Sequence, residues 1–431
     1  MNFKKLLQLA VPLVFAATSA FAAEKPEKLH IGITAFLSGP AAVFGVPAKA
    51  AAEMMIEDIN EAGGIGGVPL SATFIDEGAG GEALLAEYRR LVQDEGVDAM
   101  FASISSGNCN KIAPLADDLK ILNIMWDCGT QRIFEENDYR YVFRTQSNAT
   151  PEMLSAVLYL LKTKPDFKTI AVVNQDYSWG RDSWEIFSTA LKTLKPDVEV
   201  VAEFFPKFGS PDFSTEISRL LALRPDVILS TSWGGDLDTF VRQASQRGLT
   251  NNSTLVLPLA ESSLERLGDA LPSGQIVGTR GDHYFLHPEK LSDPAFTGFV
   301  EEFKDATGSY PIYPVYHMSQ ALNAFKGAYE KAMEANGGEW PDKEQVVDAM
   351  TGLTFVGLGR EVTIREDGQG VEDQLLGTTV NSDDYDFATL GQIMIFDGDQ
   401  ITTPVGKVSA DWLKALNPDF IDAVNVDTFE Q

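Results

Sequence analysis

From residue 29 onward, short apolar runs alternate with longer stretches whose hydrophobic residues recur at helical spacing. Apolar runs of about 4–8 residues bounded by turn formers read as strands, and the 3.6-residue period reads as a helix with one buried face. The sequence therefore predicts strands at Leu29–Thr34, Leu70–Ile75, Ala99–Ala102, Ile121–Met125 and Arg140–Arg144, with helices at Ala48–Glu61, Gly81–Gln93 and Ile112–Leu119 between them. A second series follows, with helices at Pro151–Leu161, Ser183–Leu194, Ser214–Leu223 and Asp236–Arg247. Its strands are Thr169–Val173, Val198–Phe204, Val227–Ser230, Thr254–Leu257 and Gln275–Thr279.

Such alternation implies an α/β fold with parallel strands and helices on both faces. Two successive series, in a chain longer than the ~100–200 residues of one domain, imply two doubly wound lobes. Helices at Asp293–Ala306, Pro314–Ala335 and Lys343–Met350 read as a return to the first lobe, and strands at Glu361–Ile364, Leu375–Val380 and Ile393–Phe396 as completing the sheets. The expected division is residues 28–147 with 283–371 for lobe 1, 148–282 with 372–410 for lobe 2, and a C-terminal tail over 411–431. No low-complexity linker interrupts the chain, so crossing strands are expected to join the lobes. Ligands collect at the carboxyl ends of strands in open α/β sheets, which makes the cleft between the lobes the expected site.

Residues 1–22 have the form of a cleavable export signal: Lys4 and Lys5, the apolar run Leu6–Ala17, then Ala20-Phe21-Ala22. Cleavage is expected before Ala23, releasing the protein into the periplasm. Pro12 interrupts the run, which is short of the ~20 apolar residues that span a bilayer. The net charge of −28 disfavours nucleic acid and anionic membrane surfaces, because both require a basic face. Cys109 and Cys128 are the two cysteines. In an exported chain they suggest a disulfide, with two free thiols or a metal pair as alternatives. His283 and His287 lie four apart without an evident third ligand, and no metal or cofactor is expected.

Three strand ends carry small residues, hydroxyls and backbone donors: Leu37–Gly45 with Phe44, Ser105-Ser106-Gly107-Asn108, and Gly129-Thr130. Together they suggest an anion site of carboxylate size, although each alone also reads as a helix cap. Trp179 and Trp233 follow strands of the second series directly, where an indole either meets a ligand or packs. Glu261, just past a strand, either accepts from a ligand ammonium or opens a solvated helix. The glycine cluster Asn60–Gly67 follows a helix and lacks a Lys-Ser/Thr sequel, so it reads as a helix end and not as a phosphate loop. Nucleophile-elbow, zinc-protease and Walker motifs are missing, and no enzymatic activity is expected.

In Ser38-Gly39-Pro40, Asn60–Gly67, Ser105-Ser106, the run from Arg144, Asp176–Gly180, Arg242-Gln243-Ala244 and Glu261, in that order, the chain resembles the type I periplasmic solute-binding proteins of ABC transporters. The resemblance is to their branched-chain amino acid and amide subfamily and covers nearly the whole chain after the signal. It implies a monomer that closes on a small solute and delivers it to an inner-membrane ABC permease. By position, Phe44 matches a cleft aromatic. Ser105 or Ser106, with Gly129 and Thr130 and the neighbouring Cys128, matches a carboxylate site, and Glu261 matches the acid that holds a ligand's amino group. Trp179 and Trp233 stand where the Leu/Ile/Val-binding branch has tyrosines, and Trp126-Asp127-Cys128-Gly129 replaces a plainer loop. These departures leave aromatic carboxylates and quaternary amines beside amino acids as ligands. A Cys109–Cys128 bridge would differ from the family's disulfide and tie two ligand loops together.

Overall fold

The computed structural model describes residues 23–430; the expected signal and its cleavage junction lie largely outside them. The first sheet comprises β1 (Leu29–Ala35), β2 (Leu70–Asp76), β3 (Ala99–Phe101), β4 (Leu122–Met125) and β5 (Val142–Arg144), all parallel, in the order β2-β1-β3-β4-β5. Its faces are apolar on both sides: Ile31, Ile33, Phe101 and Ile124 pack toward the helix Tyr313–Ala335, while Met100 and Met125 pack toward Leu84, Tyr88 and Ile112. Burial on both faces is what a parallel sheet requires of its side chains.

The second sheet begins with β6 (Thr169–Val173), β7 (Glu199–Phe204), β8 (Val227–Leu229), β9 (Thr254–Leu257) and β10 (Ile276–Gly278), which are parallel. Alternate residues divide between two cores: Ile170, Val172, Leu229 and Val256 on one side, and Ala171, Val173, Ile228 and Leu255 on the other. The chain then forms a small antiparallel sheet from β11 (Thr354–Val356), β12 (Glu361–Ile364) and β13 (Gly370–Val371). It returns to the second sheet as β14 (Gln374–Val380), β15 (Thr389–Phe396) and β16 (Val426–Phe429), which extend it antiparallel in the order β16-β15-β14-β10-β9-β8-β6-β7.

Three expectations change. The Glu361–Ile364 strand belongs to the separate small sheet, because Thr354–Val356 and Gly370–Val371 pair with it on either side. Residues 411–430 are no free tail, since β16 pairs with β15 and Leu413 is buried. The helices after β1, β3 and β6 start at Ala42, Ser106 and Ser178, five or six residues earlier than their apolar periodicity suggests.

Between the sheets the chain crosses three times, after β5, after β10 and before β14. Hydrogen bonds knit these crossings: Arg144 Nε and Asn148 Nδ2 donate to Gln369 Oε1, Ser147 N to Glu372 Oε1, and Leu375 N to the Gly281 carbonyl. His283 Nε2 lies 3.1 Å from Glu372 Oε2 in the same network, so His283 is part of the crossing and not paired with His287. Among the described residues no helix is long and apolar enough to cross a membrane.

Candidate functional site

In each sheet the strand order reverses once, between β1 and β3 and between β6 and β8. The loops leaving these strands diverge and open a crevice at their carboxyl ends. The two crevices face each other across a narrow cavity, lined by Ile104, Ser106, Asp127 and Gly129 from the first sheet and by Tyr177, Trp179, Trp233, Leu259, Arg280 and Tyr313.

The aromatic walls are fixed by their own polar ends. Trp179 Nε1 donates to the Thr231 carbonyl at 2.9 Å and Trp233 Nε1 to Tyr177 Oη at 2.6 Å, which fixes both indoles at the cavity wall. Asn174, just past β6, holds the loops in place: its Nδ2 donates to the Gly180 carbonyl and its Oδ1 accepts from Thr231 N. Gly129 faces Trp179 so closely that a Cβ there would overlap the indole. Phe44 is fully buried behind the wall, edge-on to Trp233 at 5.1 Å and 5.3 Å from the Tyr313 ring.

Charge enters through Arg280, which sequence reasoning missed. Its Nη1 donates to Asp127 Oδ1 at 2.7 Å, and its Nε lies 3.1 Å from both Glu152 oxygens. The guanidinium carbon stands 5.2 Å from the Trp179 ring centre and 5.0 Å from that of Tyr313. Arg280 has a φ of +53°, a left-handed conformation that costs a non-glycine residue energy and tends to mark functional sites. His317 braces the pair, Nδ1 2.6 Å from Asp127 Oδ1 and Nε2 2.8 Å from the Arg280 carbonyl. Two buried polar atoms in this cluster lack a protein partner: Arg280 Nη2 and Asp127 Oδ2. Stranded polar groups of this kind cost stability unless something binds them.

The residues singled out from sequence divide into three groups. Ser106, Gly129, Trp179 and Trp233 line the cavity. Thr130 is buried beside it, Oγ1 donating to Asp182 Oδ2 at 2.7 Å, and the Cys128 carbonyl accepts from Arg144 Nη1 and Gln146 Nε2. Cys128 is bridged to Cys109, with a Cα–Cα distance of 6.3 Å. Ser105 and Glu261 do not line the cavity. The Ser105 N–H, expected to help receive a ligand carboxylate, instead donates with the Ile104 N–H to Glu77, whose buried carboxylate also accepts from Asn108 Nδ2 and Ser103 Oγ. Glu261 accepts Tyr313 N at 3.0 Å, and burial raises its carboxyl well above the ordinary range.

Residues 28–384 match the family model described as periplasmic binding protein. The chain belongs to the periplasmic binding protein family. Among curated members, Leu/Ile/Val-binding protein homolog 7 of Brucella abortus is 27% identical over 379 residues, 83% of this chain and 89% of the relative. The leucine-, isoleucine-, valine-, threonine- and alanine-binding protein of Pseudomonas aeruginosa is 24% identical over 335 residues, 76% of this chain and 83% of the relative. A solute-binding protein of an ABC transporter from Rhodopseudomonas palustris, solved with 3,4-dihydroxybenzoic acid, shares the fold with a TM-score of 0.74 at 19% identity, covering 88% of this chain and 99% of that one. An amino acid ABC transporter substrate-binding protein from Pseudomonas fluorescens does so with a TM-score of 0.73 at 19% identity, covering 90% and 100%. Members of the periplasmic binding protein family bind solutes and are not enzymes.

Proposed function

We propose that this protein is the solute-binding component of an ABC importer, closing two lobes over a small organic solute and presenting the closed form to an inner-membrane permease. The lobes are residues 28–147 with 283–371 and residues 148–282 with 372 onward, the latter extended through β16. The observation that carries the reading is the pair of unpartnered atoms, Arg280 Nη2 and Asp127 Oδ2, on the wall of a cavity between two aromatic crevices. An amino acid, or a related amide or carboxylate, offers oxygen to the first. Contacts between the lobes support a closing motion: Arg132 Nε donates to Asp182 Oδ1, Arg132 also pairs with Glu185, and Gly235 N donates to the Pro40 carbonyl. A solute that contacts both lobes favours the closed state by its differential affinity for it.

The flat Trp179 and Trp233 walls also favour a solute with an aromatic body. A quaternary amine is less well served, because the Arg280 guanidinium already stands near the faces of Trp179 and Tyr313. The protein acts as a periplasmic monomer after removal of residues 1–22. A thermal-shift screen of amino acids, amides and aromatic acids tests the reading, since a ligand at 100 times its Kd adds about 2.7 kcal/mol. The shift is expected to vanish in Trp179→Ala and Trp233→Ala. A shift retained in full by both would refute this site.

A further inference from the structure

Arg280 brings a positive charge to the cavity wall, but that charge is already matched. Asp127 takes Nη1 and Glu152 takes Nε, all three side chains being buried. Both ring nitrogens of His317 also lie against this cluster, at Asp127 Oδ1 and at the Arg280 carbonyl. The guanidinium therefore faces two carboxylates. The next buried groups outward add no surplus of positive charge: the acids are Glu77 beneath the Ser106 helix, Asp182 paired with Arg132, and Glu261 against Tyr313 N, and the arginine is Arg144 behind the Cys128 and Thr130 carbonyls. The cavity thus offers an oxygen a donor at Arg280 Nη2 without offering an anion a surplus of positive charge.

We propose that Asp127, backed by Glu152, is a charge filter that admits solutes of zero net charge and rejects monoanionic carboxylates. The inference rests on the reading of this cavity as the solute site. The favoured head group places an acceptor against Arg280 Nη2 and a donor against Asp127 Oδ2, two unpartnered atoms of one ion pair. A zwitterionic amino acid and an uncharged carboxamide both have that form. A benzoate-like anion meets the first atom, repels the second and carries an uncompensated charge into a dry site, where such charges are most costly. The aromatic walls then sort by shape what the ion pair has sorted by charge. Burial raises the Glu152 carboxyl above its ordinary range while the Arg280 pair opposes the rise, so the filter operates while Arg280 keeps that carboxylate ionised.

The test uses three probes that share one ring, benzamide, L-phenylglycine and sodium benzoate, titrated calorimetrically at neutral pH into the wild-type protein, Asp127→Asn and Glu152→Gln. In the wild type, benzamide or phenylglycine is expected to bind about tenfold or more tightly than benzoate. Each variant removes one negative charge from a different side of Arg280, and either one, if folded, is expected to shift the preference toward benzoate by about tenfold. Benzoate as the tightest wild-type ligand overturns the filter, as does a folded variant with an unchanged preference. If none of the three binds, the net charge of the ligand found by wider screening decides: zero supports the filter and a monoanion overturns it. Binding that survives both Trp179→Ala and Trp233→Ala overturns the site reading itself. Binding lost in those variants, with benzoate preferred by the wild type, overturns the filter alone.

Discussion

Two places in this molecule have the makings of an anion site, and they end differently. At the start of the helix Ser106–Leu119 the donors are numerous, but Glu77 engages the Ile104 and Ser105 N–H groups, Asn108 and Ser103 from inside. At Arg280 the donors are fewer, yet Nη2 and the adjacent Asp127 Oδ2 remain without protein partners. The first arrangement is a finished internal bond set that shapes a loop. The second is unfinished and lies on the cavity wall, which supports the proposed role in binding. Counting donors does not separate the two places; atoms left open beside a cavity do.

The comparison breaks most forcefully at Arg280. Arg280→Met leaves Asp127 and Glu152 buried without their cation, which is expected to cost about 3–5 kcal/mol of stability. Chemical denaturation measures that, and solute affinity is expected to fall by about two orders of magnitude through loss of a charge-assisted bond. An Arg280→Met protein of wild-type affinity would move the site elsewhere. Next in size is the bridge that staples the loops on the first-lobe side. Replacing Cys109 and Cys128 by serine is expected to lower stability by about 3 kcal/mol, read by denaturant melts.

Glu77→Gln tests the finished site. It keeps the shape but weakens charge-assisted bonds, with an expected cost of about 1–3 kcal/mol in stability and little change in solute affinity by calorimetry. A large affinity loss with intact stability would make Glu77 part of the binding site. The smallest effect is expected at Glu261, whose folded carboxyl is raised above its unfolded value by burial. The native state binds that proton more tightly, so the group's contribution to stability is full below the unfolded value near 4.5 and is lost as pH rises through the folded value. Glu261→Gln should therefore flatten stability between mildly acidic and neutral pH while leaving affinity nearly unchanged. Loss of binding in this variant would restore Glu261 as the ammonium acceptor.

Much of this arrangement was legible in the chain. Strand Thr169–Val173 and helix Ser214–Leu223 have the boundaries that their apolar patterns predict, and Trp179 and Trp233 line the cavity as their places after β6 and β8 suggest. The late helix starts have a physical cause. Ser106 and Ser178 open helices whose first turns carry small or cavity-lining residues, and the helix from Ala42 carries Gly45 and Pro47 in its first two turns, so the regular apolar period begins only later. Arg280 was hidden for another reason. An arginine between Thr279 and Gly281 reads as a solvated turn, and its burial depends on Asp127 and Glu152, 153 and 128 residues away in sequence. Charge partners brought together by the crossing strands leave no local signature.

The structure of the complex with the tightest-binding solute tests the central claim most directly. The account predicts a solute oxygen within about 3 Å of Arg280 Nη2, a donor facing Asp127 Oδ2, and the solute body against Trp179 and Trp233. A solute seated on the Ser105–Ser106 turn or at Glu261, with Arg280 Nη2 still unpartnered, would contradict it.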